Sequence, residues 1–291
     1  METALRTTEN VAEANEWALV LASAGIPHRI ESAETAWVLL VPDDEVARGQ
    51  RALRAYEREN QHRRELALPE PRPDAAGWTL GLAAALVLVA FFALTGSPEL
   101  GSRWFEAGSA AAGAMAAGEL WRALTALTLH VDLAHVAGNA VAIALLLPLI
   151  AAQLGAGVAL ALVLVAGAAA NLLAAAVEAP QHVSVGASTA AFAAVGILAG
   201  LRARGRSAGS TAVRGWWVVP AAAVLLLAML GTGVGADVLG HALGLATGAG
   251  LGVAAAMSRG RPGAPTQRAL IAAGALAVVG AWFLAFTGVP R

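Results

Sequence analysis

Seven apolar runs follow one another through residues 77–288, and they constrain the fold of this chain more than any other feature. An α-helix rises about 1.5 Å per residue, so about 20 apolar residues cross the roughly 30 Å hydrocarbon core of a bilayer. The predicted spans are 77–96, 125–150, 155–177, 185–201, 215–232, 236–257 and 267–288. The pattern predicts an all-α polytopic membrane protein.

The composition supports the same class. Of the 291 residues, 58% are hydrophobic and 13% are charged, whereas soluble domains carry roughly 45–50% apolar residues. The net charge of −1 argues against a nucleic-acid partner. The chain has no cysteine, which removes disulfides, thiolate nucleophiles and cysteine metal ligands.

Residues 1–66 have the character of a small soluble α/β domain. An amphipathic helix is predicted over 9–24 and a strand in AWVLLV at 36–41. A charged helix follows VPDD, and its predicted buried side comprises Val46, Leu53 and Tyr56. The rest of the chain then divides into a Pro-rich linker at 67–76, a membrane core at 77–257, and a loop with the seventh span at 258–291.

Arginines orient the predicted spans, because short cytoplasmic loops are enriched in basic residues. They concentrate in the loop after the fourth span and in the loop after the sixth span: Arg202, Arg204, Arg206, Arg214, Arg259, Arg261 and Arg268. Both loops fall on the side of the N-terminal domain, which predicts a cytoplasmic N-terminus and an outer C-terminus. The polar N-terminal stretch METALRTTENVAEANEW shows no signal peptide, and this favours a prokaryotic plasma membrane.

Polar side chains inside membrane spans are rare and costly, so each is a candidate functional residue. They lie at the predicted outer ends of three spans: His130, His135 and Asn139 on the second, Ser188 on the fourth, and Asp237 and His241 on the sixth. The topology follows from the arginines alone, yet it brings all three segments to one depth. His135 and Asn139 share a helix face, whereas His130 is turned away by about 140°. His130 and His182 are therefore expected at the interface or in loops.

The residue types narrow the chemistry. A zinc protease would need H-E-x-x-H, and the segment from His130 to His135 has neither that spacing nor a glutamate. An aspartyl protease would need two carboxylates that share a proton, whereas one aspartate is expected inside the membrane, because the other one in the predicted spans lies near a helix start. What remains is Ser188 as nucleophile and His241 as its base, with Asp237 as a helix cap and not a third member.

Small residues support this pairing. Gly244 and Gly248 on the sixth span would allow close approach to the alanine-rich fourth span. The fourth span is short, so Ser188 would lie at a helix N-terminus below the membrane surface, where free N–H groups suit an oxyanion. His135 and Asn139 could donate from the second span. Phe192, four residues after Ser188, could pack on His241, although a phenylalanine at such a position is more often a core residue.

These segments resemble the rhomboid family of intramembrane serine proteases. The matching pieces are GELWR, H-x4-H-x3-N in HVDLAHVAGN, G-x-S in GASTAAF, and H-x2-G-x3-G in HALGLATG. The order and spacing of these pieces are specific together, although each is weak alone. Thr189 stands where many members have glycine, and Gly240 where alanine is common. Both positions accept small residues.

The resemblance implies a six-helix core with a seventh helix as an appendage. It implies a dyad of Ser188 and His241, supported by Gly186, and an oxyanion hole from His135, Asn139 and the Ser188 N–H. It also implies that Trp121 and Arg122 hold the first loop in the interface, although Arg122 could equally reach the headgroups.

The expected function is cleavage of membrane-anchored proteins near the outer face, with the bilayer as the other partner and without a metal or organic cofactor. Two alternatives remain. One is a non-catalytic rhomboid-like protein that binds or escorts membrane clients, which would not need both Ser188 and His241. The other is a transporter, which is weaker because no inverted repeat is visible.

Overall fold

The computed structural model describes residues 1–33, 36–66, 72–98, 102–207, 237–258 and 260–288, with side chains throughout except at 61–66 and 204–207. The fifth predicted span, with Arg214 and Arg259, lies outside the described residues, as does part of the predicted linker. The protein is mostly helical and divides into two compact units, residues 1–69 and 70–291.

The N-terminal unit is a three-stranded antiparallel sheet with two helices. Its elements are β1 (Glu2–Thr8), α1 (Val11–Ser23), β2 (Arg29–Ala33), β3 (Ala36–Pro42) and α2 (Val46–Leu66), with β3 between β1 and β2. Leu21, Leu39, Val41 and Leu53 form its core, and Tyr56 donates a hydrogen bond to Glu16. The single strand predicted from the sequence is the central one. The two edge strands were not predicted because most of their side chains are exposed and polar.

The second unit contains five helices that are long and apolar enough to cross a membrane. They are α3 (Ala75–Thr95), α7 (Leu133–Leu154), α8 (Ala156–Val177), α10 (Val238–Met257) and α11 (Ala264–Thr287). A sixth helix, α9 (Ser188–Ser207), is apolar over Ser188–Ala203. Between α3 and α7 lie three short helices, α4 (Arg103–Gly108), α5 (Ala112–Ala116) and α6 (Arg122–Thr125). A two-residue strand, β4 (Ala110–Ala111), pairs with β5 (Val183–Ser184).

The second predicted span, 125–150, is wrong at its start. Residues 126–128 form a 3₁₀ turn, and the helix begins only at Leu133. The Thr128 hydroxyl donates to the carbonyl of Thr125, and Asp132 caps the new helix by accepting from the His135 N–H at 2.7 Å. Short polar side chains that bond to nearby backbone end one helix and start another, and hydropathy does not detect them.

Helices α9 and α10 pack backbone to backbone. A Cβ at Gly244, Gly248 or Gly252 of α10 would lie only 2.1–2.4 Å from a carbonyl oxygen of α9. The relation is reciprocal, because a Cβ at Gly196 or Gly200 of α9 would lie 2.2–2.3 Å from a carbonyl of α10. Contact this close requires glycine on both faces, and it places the first turns of the two helices side by side.

The last helix, α11, is joined to the other helices of the second unit by side-chain hydrogen bonds. Gln267 near its start accepts from the N–H groups of Gly157 and Val158 at 2.7 and 3.1 Å and donates to the Leu154 carbonyl at 3.0 Å. The first N–H groups and last carbonyls of a helix have no partners within that helix. Gln267 therefore closes the tight turn between α7 and α8 and fixes α11 against it.

Candidate active site

Ser188 is the first residue of α9 and is 5% exposed. Gly186, two residues before it, has a φ of 125°, in the region that favours glycine. A Cβ at Gly186 would lie 2.5 Å from Cε1 and 2.7 Å from Nε2 of His135. Both the backbone conformation and the close contact therefore require glycine, which lets the backbone of Gly186 lie directly against the His135 ring.

His241 lies in the first turn of α10 and is 3% exposed. Its Nε2 lies 2.8 Å from the Ser188 Oγ, and the Phe192 ring stacks on its imidazole at 4.6 Å with an interplanar angle of 19°. Asp237 caps α10 by accepting from the Gly240 N–H at 2.7 Å. The His241 Nδ1 is buried and has no hydrogen-bond partner among the described residues. The arrangement is thus a serine–histidine pair in which Asp237 serves as a helix cap.

Asn139, one turn after His135 on α7, is fully buried beside this pair. Neither its Oδ1 nor its Nδ2 has a hydrogen-bond partner in the described part of the chain. Its Nδ2 lies 3.5 Å from the position that a Cβ on Gly186 would take. Buried amides almost always form hydrogen bonds, so an unpaired one at this place is available to a group that enters the site.

His130 lies in the loop between residues 126–128 and α7, as expected, but it is not exposed at an interface. It is fully buried, and its Nε2 accepts from the Ala187 N–H at 3.3 Å. Its ring also meets the His135 ring edge to face at 5.1 Å. Burial, with the nearby His135, lowers the pKa of His130 to about 3, so the ring is neutral and remains an acceptor. It fixes the backbone immediately before Ser188, a role that helical spacing alone does not reveal.

Arg122 organises the segment between α3 and α7. Its guanidinium is buried and bonds to the Glu119 carboxylate at 2.7 Å and to the carbonyls of Ser109 and Glu106, each at 2.9 Å. Trp121 donates its indole N–H to the Ala107 carbonyl at 3.3 Å. Of the two roles left open by the sequence, the side chain of Arg122 therefore has the structural one.

The contacts of Arg122 predict that the stability of the protein depends on the planar shape of its guanidinium and not on its charge alone. Arg122→Lys keeps the charge but loses the planar fork that reaches three oxygens, and we expect a loss of about 2 kcal/mol in the free energy of unfolding. Arg103→Lys is the matched control, because Arg103 is exposed and only covers the Phe286 ring at 5.0 Å. Thermal unfolding in detergent measures both. Equal losses of stability in the two variants would show that the buried hydrogen bonds of Arg122 do not depend on its planar guanidinium.

Helix α11 reaches this region through Trp282. The indole N–H of Trp282 donates to the Thr128 hydroxyl at 3.1 Å, and its ring packs with Trp104 and Phe91 at 5.1 and 5.3 Å. Thr128 lies two residues before His130. The sequence did not predict this contact, although an isolated tryptophan within an apolar helix was its visible signal.

The bundle is therefore an integral membrane protein with a buried serine–histidine pair, and the Asn139 amide near Gly186 has no partner among the described residues. Comparison with protein families agrees: residues 117–258 match the model of the Rhomboid domain. Residues 117–258 therefore form a domain of the rhomboid family. No curated protein and no solved structure showed a significant match.

Proposed function

We propose that the chain is an intramembrane serine endopeptidase in which Ser188 is the nucleophile and His241 the general base. The observation that carries the proposal is the 2.8 Å contact between Ser188 Oγ and His241 Nε2, in a place where both side chains are almost fully buried. A serine hydroxyl is a weak nucleophile until an adjacent base takes its proton. With Nε2 as the acceptor, the proton of the neutral ring is on Nδ1.

In the first step, Ser188 Oγ attacks the carbonyl carbon of the scissile peptide bond while His241 Nε2 takes the hydroxyl proton. The carbonyl oxygen becomes an oxyanion, and the donors proposed for it are the Asn139 amide, the His135 ring and the Ser188 N–H. His241 then gives its proton to the departing amine as the C–N bond breaks. The product of this step is an ester between Ser188 and the N-terminal part of the substrate.

In the second step, water attacks the ester carbonyl while His241 takes a proton from the water. His241 then gives that proton to Ser188 Oγ as the ester C–O bond breaks, which regenerates Ser188 and releases the carboxylic acid. The stacked Phe192 ring holds the imidazole in one plane during both transfers. Because His241 Nδ1 has no carboxylate partner in the described part of the chain, the fixed orientation of this ring depends on packing. The proposed mechanism needs no metal and no organic cofactor.

The proposed substrates are membrane-anchored proteins, cut near the outer face. Ser188, His241 and Asn139 all lie in the first two turns of their helices, at one end of the bundle. Arg202, Arg261 and Arg268 lie near the opposite helix ends, which supports a cytoplasmic N-terminus by the distribution of basic residues. We propose that α3, α7, α8, α9, α10 and the predicted fifth span form a six-helix core, which α11 follows. We also propose that the protein lies in a prokaryotic plasma membrane.

The experiment that tests the proposal is labelling of the detergent-solubilised protein with a fluorophosphonate. We expect the intact protein to be labelled, and Ser188→Ala and His241→Ala to lose the label. Ser184→Ala, four residues earlier in β5, is the control and should label normally. A folded intact protein that stays unlabelled would refute the proposal, and the alternative of a rhomboid-like protein that binds membrane clients without cleaving them would take its place.

A further inference from the structure

A second polar cluster lies at the same end of the bundle, outside the proposed catalytic residues. It consists of Glu178, His182 and Asp237, and one ligand-type atom from each side chain lies within 4.8 Å of those of the other two. His182 Nε2 and Asp237 Oδ2 face each other at 3.9 Å. That distance is too long for a hydrogen bond.

Two atoms of this cluster lack a partner. His182 Nε2 and Asp237 Oδ2 are both shielded from solvent, and neither has a hydrogen-bond partner within the described ranges. Asp237 uses its other oxygen, Oδ1, to cap α10. Burying polar atoms without partners is costly, and with no partner for this pair among the described residues, a bound ion that bridges them would satisfy both.

The backbone holds the three side chains in place. Glu178 ends α8, where its N–H bonds to the Ala174 carbonyl at 2.9 Å. The turn that follows is tied to the first two residues of α5, because Gly113 and Ala112 donate to the carbonyls of Pro180 and His182, respectively, each at 3.0 Å. The cluster therefore joins a fixed loop to a capped helix start and does not depend on free surface side chains.

We propose that Glu178, His182 and Asp237 bind a divalent cation of the zinc class. Zinc accepts imidazole nitrogen and carboxylate oxygen at about 2.0–2.2 Å, with three protein ligands and one open position as a common arrangement. Ligand atoms of such a tetrahedral site are about 3.3 Å apart. The present separations reach up to 4.8 Å, so binding requires the ligand atoms to approach one another by up to about 1.5 Å. Calcium and magnesium fit less well, because they prefer six or more oxygen ligands.

The proposed cation lies between the two segments that carry Ser188 and His241. His182 lies on the loop that leads to Gly186 and Ser188, and Asp237 lies one turn before His241, whose N–H bonds to the Asp237 carbonyl at 3.0 Å. A bound cation ties these two segments together at the end where Ser188 and His241 meet. The cation stabilises their approach and takes no part in the hydrolysis.

The test is zinc binding by the full chain, purified with a tag that contains no histidine and stripped with a chelator. We expect one Zn²⁺ per chain and a rise of about 5–10 °C in the thermal midpoint when zinc exceeds its dissociation constant a hundredfold. Asp237→Asn keeps a capping oxygen but removes the carboxylate charge, and His182→Ala removes the nitrogen. Both should lose the stoichiometric zinc and the thermal rise. His28→Ala, in the N-terminal unit, is the control and should retain them.

Two results would overturn the proposal: no zinc retained by the intact chain, or equal retention by His182→Ala. The readouts are metal content and unfolding, so they do not depend on proteolysis. Failure of Ser188 to react with a fluorophosphonate would leave this inference standing, and loss of zinc binding would leave the proposed protease activity standing.

Discussion

Asn139→Ala is expected to lower the kcat for cleavage of a membrane-anchored reporter about 10²–10³-fold and to leave KM nearly unchanged. This is the usual cost of removing one donor from an oxyanion hole, since the donor strengthens its bond only as charge develops on the substrate oxygen. The structure adds a second expectation. The side chain is fully buried and unpaired in the described part of the chain, so its removal should change the free energy of unfolding by about 1 kcal/mol or less.

Asn171 provides the matched control. It is also a buried asparagine on a neighbouring helix, but its Nδ2 donates to the Ala123 carbonyl at 3.0 Å. Asn171→Ala should lower the free energy of unfolding by about 1–3 kcal/mol because it leaves that carbonyl unpaired, while kcat per folded molecule stays near that of the intact protein. Steady-state kinetics and thermal unfolding on both variants separate the roles. If Asn139→Ala destabilised the fold and retained kcat, Asn139 would be a packing residue.

The sequence predicts the membrane helices well and the segments between them poorly. Hydropathy located α3, α8, α10 and α11 within a few residues of their observed bounds, because a long apolar helix needs no tertiary contact to be recognised. The segment from Arg103 to Thr128 gave no such signal. Its short helices are held by buried side-chain bonds to backbone carbonyls, from Arg122 and Thr125 among others, and such long-range bonds leave no periodic pattern.

The residues of the candidate site also include some that the sequence predicts and others that it does not. The distribution of arginines is enough to predict that Ser188, His241, His135 and Asn139 lie at one end of the bundle, and the cost of polar side chains in membrane helices singles these residues out. The residues that support the site from other segments, His130 and Trp282, were not predicted. His130 bonds to Ala187 from 57 positions away, and Trp282 bonds to Thr128 from 154 positions away. These contacts depend on how segments that are remote in sequence pack together, and a single sequence does not show that packing.

Gly248→Ala is expected to separate α9 from α10 and thereby to disconnect Ser188 from His241. The new Cβ would lie 2.1 Å from the Ala193 carbonyl oxygen, a backbone atom that cannot rotate away. Ordinary contact requires a shift of about 1 Å or more between the helices, and a misplacement of that size can reduce rates about 10²-fold. We also expect a loss of about 1–3 kcal/mol in the free energy of unfolding from overpacking.

Gly250→Ala is the control for that variant, because it changes the same residue type two positions along the same helix. A Cβ there meets nothing within 4 Å, so the higher helix propensity of alanine should stabilise the protein by up to about 1 kcal/mol. The two substitutions should thus change stability in opposite directions, and only Gly248→Ala should slow fluorophosphonate labelling of Ser188. Equal labelling rates would mean that the distance between Ser188 and His241 is not set by the glycine contacts of α10, and that Phe192 and Asp237 alone suffice to place the imidazole.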